Sequence, residues 1–439
     1  MKTGITNEKG VALIGTIGLL LVLVTMGMAF LKMSAYESDS AALRYNQLRA
    51  FWKAEEALSR ARAQMDHVQE PDGYQGATLD DESEPFTAKI AVKKVPQADF
   101  YAYEILGEVY FKDDGTRPFF SLSSVEKPKT FSDPFMLFDN PGDYPQSSPY
   151  FDTGDLIDGH LHCNTFLTIT GSPIFLGLVT TGDPFPGYKA RPFQFYTPPA
   201  KIENTGEIFP IPRVAEKLRE QAFWIVPGPE QRAIILFTGT GYVLKIRDLH
   251  NEAMVFNKGG AEFVQGKSSS LFVDGDVEVS GVLSGKVTVG CSGNLYITDN
   301  ITYADADQAT GQPRPDSKNI LGLISEGNVF VKQKQVSPYI GNGIIIDASI
   351  LAMDSTVQVL NYRDYQQSMG VMHLWGNVVQ YQRGIIGNVR LRGTVEMGYH
   401  KDWHHDTRLQ TLQPPCMPPL KDEKGNMRFK TIYWKRSDV

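Results

Sequence analysis

Cysteine is scarce: Cys163, Cys291 and Cys416 are the only three in 439 residues. They are far apart and odd in number, so neither a disulfide framework nor a C-x-x-C metal site is available. At most one bridge can form, and the sequence does not choose the pair. Basic charge is also lacking. Lys and Arg total 43 against 50 Asp and Glu, a net charge of −7 and a pI near 5.7. A concentrated basic face for phosphate is not expected, which argues against nucleic acid as a partner. No Gly-x-Ser-x-Gly and no His-Glu-x-x-His occurs. Long apolar runs are missing too, with one exception near the N-terminus.

Glycine and proline are plentiful, at 40 and 26 residues. They imply many turns and a β-rich body. Hydrophobic residues at 42% and charged residues at 21% are ordinary for a folded chain, and the length suggests two or three domains.

The exception is Val11 to Leu31, uncharged throughout and flanked by Lys9-Gly10 and Lys32. As a helix at ~1.5 Å per residue it is ~30 Å long, roughly a bilayer's hydrocarbon core. Its polar side chains, Thr16 and Thr25, can bond back to helix carbonyls. Residues 34–65 contain no Pro or Gly, and Leu48–Phe51 and Ala54–Ala57–Leu58–Ala61 are spaced by three and four, the helical period. Arg44, Arg49, Lys53, Glu56, Arg60 and Arg62 form the other face. A membrane helix running into an amphipathic one is the reading. A plain signal anchor with a long juxtamembrane helix and a cleaved secretory signal are the alternatives.

This stretch resembles a known pattern. Glu8-Lys9-Gly10-Val11-Ala12-Leu13-Ile14 is similar to the type III signal of type IV pilin-like proteins. Gly-Val-Ala-Leu followed by Ala54-Glu55-Glu56-Ala57-Leu58 resembles the N-terminus of PilX-type minor pilins. The resemblance covers residues 1–66. It implies a leader (1–10) removed after Gly10 by a prepilin peptidase at the cytoplasmic side, methylation of Val11, and an assembly helix (11–66) carrying Gly15, Leu31, Phe51 and Trp52. Its implied partners are other pilins or pseudopilins, in a type IV pilus or a type II secretion-like system. Its implied location is the inner membrane, spanned once, with the C-terminal domain outside the cytoplasm and entry into a surface pilus open to it. Gly15 departs from major pilins, which carry Glu there to pair with a neighbour's amine. The K-type pseudopilin of type II secretion shares that loss, so a minor, priming or tip subunit is implied.

Downstream, Gln69-Glu70-Pro71-Asp72-Gly73 stops the helix. Alternating residues in 86–95 and 100–111, with Ala88, Ile90 and Val92 opposite Lys89 and Lys93, predict a small hairpin within 67–150. The aromatic, proline-rich remainder to Tyr150 reads as a linker. From 151 to 400 the chain consists of very short β-runs turned by Gly or Asn, such as Leu271 to Val289. They predict a right-handed parallel β-solenoid of irregular period, with a β-sandwich of short strands as the alternative. Residues 186–265 read as an insertion holding a helix after Pro210 and a hairpin around Thr238-Gly239-Thr240-Gly241, and 401–439 as a C-terminal tail. The phrases Gly159-His160-Leu161-His162-Cys163-Asn164 and Ser172-Pro173-Ile174-Phe175-Leu176-Gly177 resemble an uncharacterised pilus-assembly-like family. So do Tyr399-His400-Lys401-Asp402, Thr407-Arg408-Leu409 and Pro414-Pro415. That family joins a pilin-like N-terminus to a β-helix.

Candidate chemistry is thin. Ala261 to Ser268 matches a phosphate loop by letters but is followed by a predicted strand, where the motif needs a helix. His160 and His162 share a strand face, and His400, His404 and His405 stand near Asp402 and Asp406. A zinc site needs three or four converging ligands, so no metal is expected. Asp305-Ala306-Asp307 fails the calcium-loop pattern. Asp274 and Asp276 form the best carboxylate pair for a solenoid glycosidase, but a common solenoid turn explains them. The expectation is a non-enzymatic minor pilin-like subunit, without cofactor, priming assembly or displaying a β-helix for adhesion to surface glycans, host or substratum. The alternative is an anchored β-helix protein that binds or cleaves envelope polysaccharide.

Overall fold

A single helix, α1 (Glu8–Met65), carries the chain through both N-terminal segments without a break. No proline interrupts it, and the Thr25 hydroxyl donates to the Val22 carbonyl at 2.9 Å, which removes the polar cost of a hydroxyl in an apolar stretch. The computed structural model describes residues 8–67, 77–81, 83–96, 101–113, 115–139, 150–151, 155–165, 167–169, 173–182, 202–262, 268–332, 343–362, 368–389 and 395–437. Across them the protein is mainly β with this one long helix.

The upper part of α1 lies on an antiparallel sheet. Ala50, Ala54, Ala57, Leu58, Ala61 and Met65 are buried, a stripe at helical spacing. Small side chains let the backbones approach closely: a Cβ on Gly107 of the facing strand would lie 3.3 Å from the Ala54 carbonyl oxygen. The sheet has five strands in the order Ala77–Asp80, Phe86–Pro96, Tyr101–Phe111, Phe120–Pro128, Phe429–Ser437. Its central hairpin is the one that the alternation predicts. Two members differ from expectation. Phe120–Pro128 lies where the sequence predicts a linker, and the fifth strand comes from the C-terminal tail. Phe120–Pro128 shows no period because Ser121, Ser123, Ser124, Glu126 and Lys127 are buried along with its apolar residues. Its polar positions therefore look exposed in the sequence and are not.

Between these two strands of the head lies the body, built of parallel ladders. One ladder places Leu271, Val289, Leu323, Ile350, Val378, Met136, Leu161 and Val179 side by side. All eight are buried. A second aligns Ala233, Val277, Leu295, Val329 and Val357. A third aligns Phe237, Gly281, Ile301, Ile346, Leu374 and Trp403. Their inward side chains merge into one apolar core, because each rung is too short to bury a face alone.

Spatial order is not chain order. The chain enters the first ladder at Met136–Phe138 and steps outward through Leu161–Cys163, Val179–Thr181 and Ile202–Asn204. Residues 205–222 then run back over the outside of that ladder to Phe223–Ile225 at the far end. From there successive rungs return until Val378 pairs with Met136. Phe209, Ile211, Ala215 and Leu218 of the strap, with Met417 and Leu420 from the tail, pack on the outward Phe272, Ile324, Leu351 and Val379. Ile211 N donates to Asp139, and Ala215 N to Glu326, fixing the strap along its length.

Part of the segment read as an insertion therefore belongs to the stack. Gln231–Thr238 and Gly241–Asp248 form the expected antiparallel hairpin, but the first strand also pairs in parallel with Val277–Leu283. The expected helix after Pro210 is confined to α2 (Glu216–Gln221). Residues 186–201 and 263–265 of the insertion lie outside the described residues.

Early and late segments of the body are joined by ion pairs as well as by ladder hydrogen bonds. Buried Asp155 meets Arg383 at 2.8 Å and also pairs with Lys401. Burial alone would raise its carboxyl, but the two cations outweigh it and hold it below the usual range.

Candidate functional site

The lower part of α1 is a continuous exposed apolar surface. Leu13 to Met33 includes no buried side chain. Among the described residues this is the one helix long and apolar enough to cross a membrane. A surface of this size is not stable in water and calls for lipid or other helices.

The residues singled out on this helix fall into distinct environments. Gly10 and Val11 lie in the first turns of α1, and residues 1–7 of the leader lie outside the described residues. Nothing comes within 4 Å of a Cβ built on Gly15, Gly18 or Gly27. The fold of this chain therefore does not demand glycine there, despite its helix cost of about 1 kcal/mol. Leu31 is exposed. Phe51 turns inward to meet Phe120 edge-on at 6.0 Å, whereas Trp52 is 61% exposed and touches the edge of Phe51. With Leu43, Tyr45 and Leu48, also exposed, Trp52 extends the apolar surface up beside the head.

The histidines do not converge. No group of three or more His, Cys, Asp or Glu that could hold a metal ion occurs among the described residues. His160 and His162 share Thr180, at 3.0 and 2.7 Å from its hydroxyl. His162 Nε2 faces the Asn164 side-chain oxygen at 3.1 Å, so it carries the proton and Nδ1 accepts. Burial pushes His162 down to about 4, leaving a neutral ring that packs on Phe209. His404 stacks on Trp375 and bonds Asp402, which also bonds His373. His405 is half-buried beside Phe135, and His400 is exposed on the same strand, Val395–His405.

The carboxylate pair has a structural role. Asp276 Oδ1 accepts from the Asn294 amide at 2.8 Å, Asn294 Oδ1 from the Asn328 amide at 3.1 Å, and Asn328 Oδ1 from Thr356. The result is a side-chain ladder at the turns, one step per rung. Asp274 accepts from Ser292. Nearby Glu278 is buried among Arg232, Arg247 and Lys332. Burial would raise its carboxyl, and these cations reverse that and hold it low. Charges that neutralise one another this fully are not poised for acid–base work. The phosphate-loop letters end in the strand Ser268–Val273, without the helix that motif needs; residues 263–267 lie outside the described residues. None of the cysteines is in a disulfide.

No family model and no curated protein matches the chain. Among solved structures, the crystal structure of competence-associated pilin ComZ from Thermus thermophilus aligns with 89% of this chain and 97% of its own, at 14% identity and a TM-score of 0.31. A superposition that loose does not establish a common fold.

Proposed function

We propose that this chain is a non-enzymatic, minor pilin-like subunit, anchored by α1 and assembling through it with other pilins or pseudopilins. The observation that carries this reading is the division of α1. Its lower part is apolar and bare, and its upper part is built into the head sheet through an alanine stripe. One continuous helix therefore joins a lipid-compatible segment to a folded head, with Trp52, Leu48 and Tyr45 available to neighbouring helices. Gly15 fits a priming or tip subunit, since the chain offers no carboxylate at that position. In this reading the body is a right-handed parallel β-solenoid displayed beyond the membrane. Its support is the run of parallel rungs and the Asp276–Asn294–Asn328 ladder, with the hand following from the chirality of parallel crossovers.

The test is co-expression of the full chain with and without a prepilin peptidase, read by intact mass. Loss of residues 1–10 with a methylated Val11, abolished by Gly10→Val, is the expected result. An unprocessed chain in the presence of an active peptidase overturns the pilin reading.

A further inference from the structure

Asp347 lies on the strand Ile344–Ala352 with its side chain on the outward row of the third ladder, yet it is wholly buried. One carboxylate oxygen, Oδ2, accepts from the Tyr303 amide at 2.9 Å. The other, Oδ1, is buried without a hydrogen-bond partner among the described residues. What covers it is the turn at 307–312. A Cβ on Gly311 would stand 2.8 Å from Asp347 Oδ1 and 2.2 Å from the Ile345 side chain, and Gly311 has φ +75°. Only glycine closes this lid without strain.

The turn is a unit. Asp307 Oδ1 accepts from the Ala309 and Thr310 amides, and the Gly311 amide donates to the Asp307 carbonyl. Its external tie is the Trp375 indole, which donates to the Thr310 carbonyl at 3.1 Å. Trp375 is Asp347's neighbour on the next rung and stacks on His404 beyond. The base of the loop is held separately. Asp305 bonds Ser317 and Asn319, and Arg408 donates to the carbonyls of both.

We propose that the 307–312 turn is a latch that stays closed over Asp347 while that carboxyl is protonated and lifts when it ionises. The charged groups around Asp347 favour this. Asp406 and Asp305 repel a negative charge there, and Tyr303 cannot neutralise one. Arg408, the cation that acts on Asp347, already gives Nε and Nη2 to the two oxygens of Asp406. Burial first, with the neighbouring acids and against the Tyr303 amide and Arg408, pushes the Asp347 carboxyl up to about 8. Lifting the turn lets water reach the carboxylate and returns it towards the ordinary carboxylate range.

The sign follows. The closed state binds the proton more tightly, so closure is strongest in acid and weakens as pH rises towards 8. Lifting uncovers Ile345 and Trp375 beside the His404–Asp402–His373 chain while the Arg408-bound base stays in place.

Hydrogen exchange of the full chain in detergent, at several pH values between 5 and 8 and corrected for the chemical rate, tests this. Amides in 308–312 should lose protection by up to about tenfold per pH unit, and Asp347→Asn should remove that dependence. Trp375→Phe should lower protection at every pH and keep the slope. Flat protection in the wild type overturns the proposal, and so does an Asp347→Asn protein with the wild-type slope. If Asp347→Asn fails to fold, an unchanged Trp375→Phe protein overturns it instead.

Discussion

Half-buried Arg62 of α1 and buried Glu126 of the head sheet form an ion pair, Nε to Oε1 at 2.7 Å, with Glu126 only 1% exposed. Thr431, from the C-terminal strand, approaches both carboxylate oxygens of Glu126, at 3.1 and 3.0 Å. The Arg62 guanidinium also covers the Trp434 ring at 4.0 Å. Helix, sheet and C-terminus thus converge on one carboxylate.

Removing Arg62 leaves that charge buried and unpaired, which costs about 3–5 kcal/mol. Arg62→Ala is expected to lower the unfolding midpoint sharply. Arg62→Met combined with Glu126→Gln should recover most of the loss, as read by urea unfolding. Equal stability of the single variant and the wild type would show that the pair contributes nothing.

Gly376 leaves no room for a side chain. A Cβ there would fall 1.8 Å from the Ala348 carbonyl oxygen, and backbone cannot move aside without breaking the ladder between Ala348 and Gly376. Gly376→Ala should destabilise by about 1–3 kcal/mol or more, whereas Gly15→Ala, with nothing within 4 Å, should not destabilise. Thermal melts of the two variants make the comparison.

The turn ladder predicts a graded effect. Asn294 accepts from both the amide and the side chain of Asn328. Asn294→Ala strips these donors of their partner and is expected to cost about 1–3 kcal/mol. Asn328→Ala should cost a similar amount, and the double variant less than the sum, because the two sites share bonds. Strict additivity in a double-mutant cycle would rule out a coupled ladder.

His162 sets an acid limit. Its folded value of about 4 lies below that of an ordinary imidazole, so the unfolded chain binds the extra proton. Stability from this residue is present above about pH 6.5 and falls as pH drops towards 4, by up to about 3 kcal/mol. His162→Gln should flatten that limb of the stability–pH curve. An unchanged acid limb would assign the loss to other groups.

Much of the head and body was readable because local chemistry dictated it. The alternation in 86–95 and 100–111 gave the central hairpin, and Thr238-Gly239-Thr240-Gly241 gave the other. The strand Phe120–Pro128 was hidden because Ser123, Glu126 and Lys127 are polar yet buried, which erases the period on which pattern reading depends. Arg62 was placed on the polar face of α1, and its partner lies 64 positions away in the chain. Asp347 carries no sequence signal, since its burial comes from a turn that folds back from the preceding rung.

The sequence by itself determined that Val11 to Leu31 belongs to a long apolar helix, and that β-strands punctuated by Gly make up much of the rest, although strands such as Ser368–Gln380 run longer than the short β-runs expected. Those features follow from hydrophobicity and backbone freedom, which act over a few residues. Only the tertiary structure decided that the chain enters its stack in the middle, that residues 205–222 span the first ladder, and that Phe429–Ser437 completes the head. A parallel edge can accept any strand of suitable length and direction, so short-range pattern cannot choose between partners. The choice falls to the one arrangement that buries Met136 beside Val378 and neutralises Glu126 at once.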